Sequence, residues 1–174
     1  YRICSSDKST KIGLPEVTLG ILPAWGGTTR LPRVVNLTTA LKVLLTGSQY
    51  AAKHALKMGL VDAIAYREDL VREALDMVIK PIKSSVNVPV MQRIIPDGLV
   101  LRKAKQNVLA KTKGNYPAPL KIIDIISKGS DTAESLHMEK NAFLQLCKTS
   151  QMHNLLRIFD LINSYLCPFG FKFL

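Results

Sequence analysis

Apolar and polar positions follow two different rhythms along the chain. Over the first 80 residues, short apolar runs are interrupted by glycines and polar clusters. Tyr1 to Cys4 and Gly13 to Leu19 read as two short strands joined by the polar connection Asp7-Lys8-Ser9-Thr10. Gly26 and Gly27 permit a tight turn, and Thr28 or Thr29 is suited to cap the short helical segment after it. Thr38 to Leu45 sets Leu41, Leu44 and Leu45 on one helical side and stops at Gly47. Tyr50 to Met58 is a second, Ala-rich helix ended by Gly59. Leu60 to Ala65 is short and apolar enough for a buried strand or an extended edge. Glu68 to Ile79 is helical, with Glu68 and Asp69 in the first turn, where the helix dipole favours acids.

The rhythm changes near Lys80. Residues 81–98 hold Pro81, Pro89, Pro96 and Gly98 with little periodicity and read as a connecting stretch. Helical spacing then runs through Leu99 to Lys111, Pro119 to Lys128, Asp131 to Cys147 and Ser150 to Asn163. Tyr116-Pro117-Ala118-Pro119 separates the first two, with Pro119 suited to a first helical position. There are no internal repeats. The expected organisation is a strand-and-helix part (1–80), a connection (81–98), an all-helical part (99–163) and an aperiodic, aromatic tail (164–174). The fold class is α/β with a helical C-terminal part.

A length of 174 residues suits one ordinary core and is short for two. An apolar fraction of 47% places the chain with globular rather than disordered sequences. No apolar run reaches the roughly 20 residues that span a bilayer, the longest being cut by Lys42, Lys53 and Lys57. The start, Tyr1-Arg2-Ile3-Cys4, has neither an initiator methionine nor a signal-peptide pattern and reads as the middle of something longer. Cys4, Cys147 and Cys167 are odd in number and far apart, which suits reduced thiols rather than a disulfide frame or a zinc site. A cytoplasmic location is expected, with the mitochondrial matrix as the alternative.

The net charge of +11 is uneven. Residues 81–128 carry nine Lys or Arg against two Asp or Glu, while residues 129–174 are balanced at four against four. The densest part is Arg102, Lys103, Lys105, Lys111 and Lys113. Such a block meets nucleic acid, an acidic membrane surface or the phosphates of coenzyme A, or is simply a solvated helix face, the reading we favour. Nucleic acid lacks a supporting motif, since no aromatics interleave the basic residues and no zinc-finger or RNP pattern occurs. Membrane association has no further support either.

Candidate chemistry concentrates in Ile12 to Pro32. Glu16 follows Pro15 inside an otherwise apolar run, and the glycine-rich turn Gly26-Gly27-Thr28 comes ten residues later. A carboxyl group among Ile12, Leu14, Val17 and Leu19 is expected to be partly desolvated, which suits a proton carrier near neutral pH. His54, His137 and His153 form no metal pattern. Glu134 and His137 share a helical spacing of three, but there is neither a His-Glu-x-x-His nor a third ligand, so a surface polar pair is the better reading. No metal site is expected. No Gly-x-Ser-x-Gly or Cys/His nucleophile arrangement occurs.

The Gly13-Leu14-Pro15-Glu16 and Pro23-Ala24-Trp25-Gly26-Gly27-Thr28-Thr29-Arg30-Leu31-Pro32 runs resemble the signature of the crotonase (enoyl-CoA hydratase/isomerase) family. The likeness continues through Thr46-Gly47, Ala51-Ala52, Ala55 and Met58 to Asp62. Lys113 to Asp124, and the helices of 131–159 with Glu134, Glu139 and Lys140 to Phe143, resemble the later half of the hydratase domain in the multifunctional alpha subunits of fatty-acid β-oxidation complexes, the trifunctional-enzyme type. The resemblance covers about Tyr1 to Phe159. It implies the later half of a crotonase-type ββα spiral followed by an all-helical C-terminal part. It also implies hydration of a trans-2-enoyl-CoA, with or without double-bond isomerisation, and Glu16 exchanging a proton at the carbon next to the thioester carbonyl. Pro15, Trp25, Gly26 and Gly27 become substrate-pocket candidates, and Lys103, Lys105 and Lys111 candidates for the coenzyme A phosphates.

In the family, a Gly-Gly-Gly-x-Glu run before this stretch supplies one oxyanion N–H, with another from farther upstream, and a second glutamate. The resemblance therefore implies that these residues alone are catalytically incomplete, or serve only as an assembly or interaction module. It further implies an acyl-CoA substrate, no bound cofactor, and either a thiolase beta subunit or a second copy as partner. NAD enters only if a dehydrogenase domain follows, since no Gly-x-Gly-x-x-Gly occurs here. Ala24 stands where the family usually has glycine. Trp25 either narrows an acyl pocket or is core, and its size favours core.

Overall fold

Four short strands form two separate pairs in the computed structural model, which describes residues 1–79, 96–129 and 131–166. β1 (Ile3–Ser5) runs parallel to β4 (Ala63–Ala65), with Cys4 opposite Ile64. β2 (Lys11–Gly13) runs antiparallel to β3 (Gln49–Ala51), with Ile12 opposite Tyr50. Between and after them come α1 (Gly27–Val34), α2 (Leu37–Thr46), α3 (Ala52–Met58) and α4 (Leu70–Ile79). The back part is helical: α5 (Asp97–Thr112), α6 (Pro117–Lys128), α7 (Thr132–Leu146) and α8 (Ser150–Leu166).

Local chemistry accounts for most boundaries. Asn36 caps α2 by accepting from the Thr39 N–H at 2.8 Å, and Asp131 caps α7 by accepting from Glu134 N–H at 2.8 Å. Front and back share one core, in which Val17, Leu22, Leu44 and Ala55 pack in the same cluster as Ala118, Ile122, Ala142 and Leu146. Burial of Leu22, Leu44 and Ile122 is complete, each such side chain contributing roughly 1.5–3 kcal/mol.

Several sequence expectations change. The run Gly13 to Leu19 is not a strand: β2 ends at Gly13 and Pro15–Leu19 is a single 3-10 turn. Pro15 lacks a strand donor and holds the φ of a first helical position, so the chain bends there. Tyr50 and Ala51 leave the predicted second helix and join Gln49 in β3, which pairs with β2, and α3 begins at Ala52. The helix expected from Glu68 begins as a 3-10 turn, Arg67–Asp69, and becomes α-helical at Leu70. Pro117 rather than Pro119 opens α6, α5 already includes Asp97 and Gly98, and α8 runs on to Leu166. Residue 80, residues 81–95 of the expected connection, and 167–174 of the tail with Cys167 lie outside the described residues. Cys4 and Cys147 are free thiols, and burial pushes the Cys4 thiol above its ordinary value. No helix among the described residues is long and apolar enough to cross a membrane.

Candidate active site

Glu16 sits in the second position of the Pro15–Leu19 turn, and that turn is held from several sides. Val17, 2% exposed, anchors it in the core. The Thr18 hydroxyl donates to the Pro15 carbonyl at 2.7 Å, closing the turn on itself. The backbone N–H of Ile21 donates to the Glu16 carbonyl at 3.4 Å. Gly47, at the end of α2, comes so close that a Cβ there would lie 2.7 Å from Thr18 Cγ2, so only glycine allows this approach. From the back part, the Tyr116 hydroxyl donates to the Val17 carbonyl, and Gly20 lies against Met152 of α8. Burial pushes the Tyr116 phenol above its ordinary value, which keeps it a donor.

The Glu16 side chain is half-buried, and its Oε2 is buried without a hydrogen-bond partner among the described residues. An unsatisfied buried carboxylate oxygen is costly, on the order of 1–3 kcal/mol or more, and uncommon in folded proteins. Such an oxygen is available to accept a proton or bond a substrate.

The glycine-rich turn is built differently. Trp25 and Gly26 are both left-handed, with φ of 64° and 90°, and the chain enters α1 directly after them. For a tryptophan this conformation costs about 1 kcal/mol. Both ends of the Trp25–Gly26 peptide are tied: Arg30 Nη1 donates to the Trp25 carbonyl at 2.9 Å, and the Gly26 N–H donates to Glu139 Oε1 at 2.5 Å. Glu139 Oε2 accepts from the Thr29 N–H and hydroxyl, each at 2.9 Å. Glu139 is 2% exposed and supplies from α7 the N-terminal cap that α1 lacks locally. Thr28 and Thr29, expected as caps, lie inside the helix, and the Thr28 hydroxyl donates to the Pro23 carbonyl. Glu139 is not among the site residues expected from the sequence. Its signal is a lone acid in the buried helical stripe Ser135, Glu139, Ala142 and Leu146.

Trp25 is 95% exposed and is not core. Consecutive left-handed residues turn the chain so that the indole projects outward. Trp25, Ala24 and Gly26 line a cavity of about 450 Å³ with Leu136, Glu139, Lys140, Phe143 and Leu144 of α7. Pro15 shares the turn of Glu16, and Gly27 approaches Leu14, as an added Cβ would lie 3.6 Å from Leu14 Cδ1. Glu16 does not line the Trp25 cavity. Lys103, Lys105 and Lys111 are exposed on α5, which packs on α2 and α6. Among the described residues no group of three or more His, Cys, Asp or Glu could hold a metal, and His137 Nδ1 instead lies 3.3 Å from Asn141 Nδ2.

The sequence matches the enoyl-CoA hydratase/isomerase family over residues 1–119. It is 41% identical over 167 residues to the fatty acid oxidation complex subunit alpha of Shewanella putrefaciens, covering 91% of this chain and 24% of that protein. The same subunit of Shewanella frigidimarina is 40% identical with the same coverage. The chain thus spans about a quarter of the length of the curated relatives it matches. In fold it is similar to carnitinyl-CoA hydratase from Mycobacterium avium, with a TM-score of 0.54 and 22% identity over 91% of this chain and 50% of that one. Enoyl-CoA hydratase from Bacillus halodurans gives a TM-score of 0.52 and 18% identity over 90% and 51%. These likenesses show the fold, the expected part of a crotonase-type spiral with a helical C-terminal portion.

Proposed function

Because the chain belongs to the enoyl-CoA hydratase/isomerase family, we propose that it carries one half of the acid–base machinery of an enoyl-CoA hydratase working in fatty-acid β-oxidation, with Glu16 as the proton-transferring group. The observation that carries this is the buried Glu16 Oε2, without a hydrogen-bond partner among the described residues, on a turn braced from α2, α6 and α8. In hydration, a water oxygen bonds to C3 of the trans-2-enoyl thioester as the C2–C3 π bond breaks, the water gives up one proton to the family's second glutamate, and a proton is delivered to C2. A carboxyl on a rigid turn moves that proton without reorganising its surroundings. The same group, moving a proton between C2 and C4, serves double-bond isomerisation.

In the family one oxyanion donor and the second glutamate belong to a Gly-Gly-Gly-x-Glu run and the other donor lies farther upstream, and these 174 residues contain no such run. Each oxyanion donor contributes about 10²–10³ in rate. The stretch by itself is therefore expected to turn over crotonyl-CoA negligibly. The test uses a protein that joins it to the whole upstream segment carrying both donors and follows loss of the conjugated-thioester absorbance. Glu16→Gln should lower kcat by about 10²–10⁴ with a smaller effect on KM. Unchanged turnover would remove Glu16 from the chemistry.

The relatives' designation as subunit alpha of a complex supports an association partner, a thiolase subunit or a second copy. Their bacterial origin supports the cytoplasmic rather than the mitochondrial setting. One feature favours the assembly-module alternative: Val71, Leu75, Val78 and Ile79 form an exposed apolar stripe on α4. A concentration-independent monomer in sedimentation would count against that alternative. The exposure of Lys103, Lys105 and Lys111 suits either a phosphate contact or a solvated face. Replacing all three with glutamine should weaken coenzyme A binding and its salt dependence under the former.

A further inference from the structure

α8 is attached to the molecule through an unexpected place. Among the described residues none of its apolar side chains belongs to either apolar cluster of the core, and the element it packs on most is the Pro15–Leu19 turn. Beyond Leu155, its side chains Leu156, Ile158, Leu161, Ile162 and Tyr165 are exposed. A 17-residue helix thus rests on the protein chiefly through its first turn, and beneath that turn is the segment carrying Glu16.

The contact is made at Gly20, the residue that closes the Glu16 turn. Its N–H donates to the Val17 carbonyl at 3.1 Å, and the N–H of Ile21 donates to the Glu16 carbonyl at 3.4 Å, so the backbone around Gly20 sets where Glu16 stands. Gly20 is left-handed, with φ of 78°, and a Cβ on it would lie 3.0 Å from Met152 Cα and 3.2 Å from Leu155 Cδ1. Bare backbone therefore meets the backbone of α8, with a Leu155 methyl laid beside it.

The first turn of α8 is itself fixed from elsewhere. Thr149 Oγ1 accepts from the Met152 N–H at 3.3 Å and donates to the Leu146 carbonyl at 2.6 Å, and Leu146 is buried in the core. Gln151 Nε2 donates to the Asn115 carbonyl at 3.2 Å, next to Tyr116, whose hydroxyl holds Val17. α8 and the Glu16 turn hang on the same two residues, and Leu155 on Gly20 closes the third side of that triangle. Proton transfer tolerates little error here. Donor and acceptor must come within about 2.6–3.2 Å, and a misplacement of about 1 Å costs about 10² in rate.

We propose that Leu155 is a positioning residue for proton transfer by Glu16, seating the first turn of α8 on Gly20 and so fixing the turn that carries the carboxyl. This rests on the reading of Glu16 as the proton-transferring group and adds what holds it in place.

Leu155→Ala tests this in two proteins. In the 174-residue chain, the Gly20 and Ile21 N–H groups should exchange with solvent about tenfold faster by NMR, while the Thr39 N–H, held by Asn36, is unmoved. In the protein that also carries the whole upstream segment, kcat on crotonyl-CoA should fall about tenfold or more with KM within about twofold. Leu155→Met, which keeps the volume, should restore it. Gly20→Ala, which must push α8 back from the turn, should lower kcat in the same way. Val108→Ala, in the cluster with Leu41 and Ile123, should destabilise the fold yet leave kcat and both amides unchanged. A kcat lowered no further by Leu155→Ala than by Val108→Ala, or Gly20 and Ile21 amides that it does not loosen, would overturn the proposal and leave Leu155 as an anchor for a peripheral helix. Glu16→Gln separates the two readings. Turnover lost there but intact in Leu155→Ala strikes only this proposal, whereas turnover intact in Glu16→Gln removes the reading of Glu16 and this proposal with it.

Discussion

Glu139 is withdrawn from water entirely and Glu16 through its Oε2, and both serve the same short stretch of chain, yet their surroundings differ. Glu139 reaches from α7 to the start of α1 and meets three donors, which leaves neither oxygen free. Glu16 stands on a turn whose backbone is braced on several sides while its Oε2 has no partner among the described residues. The protein thus satisfies one acid completely and leaves an oxygen of the other open. A buried carboxylate with all its bonds made contributes structure. One left open at a rigid position costs stability and keeps its lone pairs for a substrate.

The contrast can be broken first at Glu16. Glu16→Gln should remove about 10²–10⁴ of turnover in the protein joined to its oxyanion segment, while the melting temperature of the present chain shifts by no more than about 2 °C. A large loss of stability would mean that Glu16 has a structural role like that of Glu139. Glu139→Ala should do the reverse. It strands the Gly26 and Thr29 N–H groups and the Thr29 hydroxyl, and should cost about 3 kcal/mol of folding stability, since hydrogen bonds to charged groups are each worth roughly 1.5–3 kcal/mol and do not add fully. The urea midpoint should fall by more than about 1 M. An unchanged midpoint would show that α1 needs no cap from α7.

How much of this was legible in the sequence depends on the range of the interaction. α2, α3 and α7 were placed within about two residues because Gly47, Gly59 and Asp131 act on their immediate neighbours. Glu16 was legible as an acid in an apolar run. Its 3-10 turn was not, because hydrophobic alternation from Gly13 to Leu19 outweighed the single signal of Pro15 in the strand prediction. Trp25 was misplaced in the core because size predicts burial only where the backbone allows it, and two consecutive left-handed residues are a local fact that composition does not display. The Glu139 cap joins positions 113 residues apart, and neither periodicity nor spacing encodes which distant helix end a lone acid will meet.

A smaller test sharpens the difference between bracing a turn and working on it. The Tyr116 hydroxyl bonds the Val17 carbonyl, one residue from Glu16, and makes no contact with the carboxyl. Tyr116→Phe should cost about 1–1.5 kcal/mol in denaturant unfolding, the usual value of one neutral hydrogen bond lost at a partly buried site. In the protein joined to its whole upstream segment, kcat should fall several-fold with KM nearly unchanged, because the turn loosens while the substrate contacts remain. Equal losses in kcat and stability-matched controls elsewhere in the core would assign Tyr116 to general packing.

Asp62 is a third acid, partly buried and with both oxygens paired. The Arg2 backbone N–H, Nε and Nη2 donate to its oxygens at 2.8, 3.1 and 2.6 Å, pinning the start of β1 beside β4. The hydrogen bond from the Arg2 side chain, outweighing the opposing effect of burial, holds the Asp62 carboxyl below the usual aspartate value of about 3.9. A folded-state value below the unfolded one means the folded state keeps this group ionised where the unfolded state has begun to take up a proton. The stabilisation is therefore complete above about pH 4 and is lost as pH falls through the folded-state value. Asp62→Asn should lower stability by about 1 kcal/mol at pH 7, in keeping with a partly buried ion pair, and the gap from the parent chain should close as the medium is taken below pH 4. Urea midpoints measured at pH 7, 5 and 3 give the result directly. A gap that stays constant through pH 3 would show that Asp62 contributes by shape and neutral hydrogen bonding, as an asparagine could, and that its charge stabilises nothing.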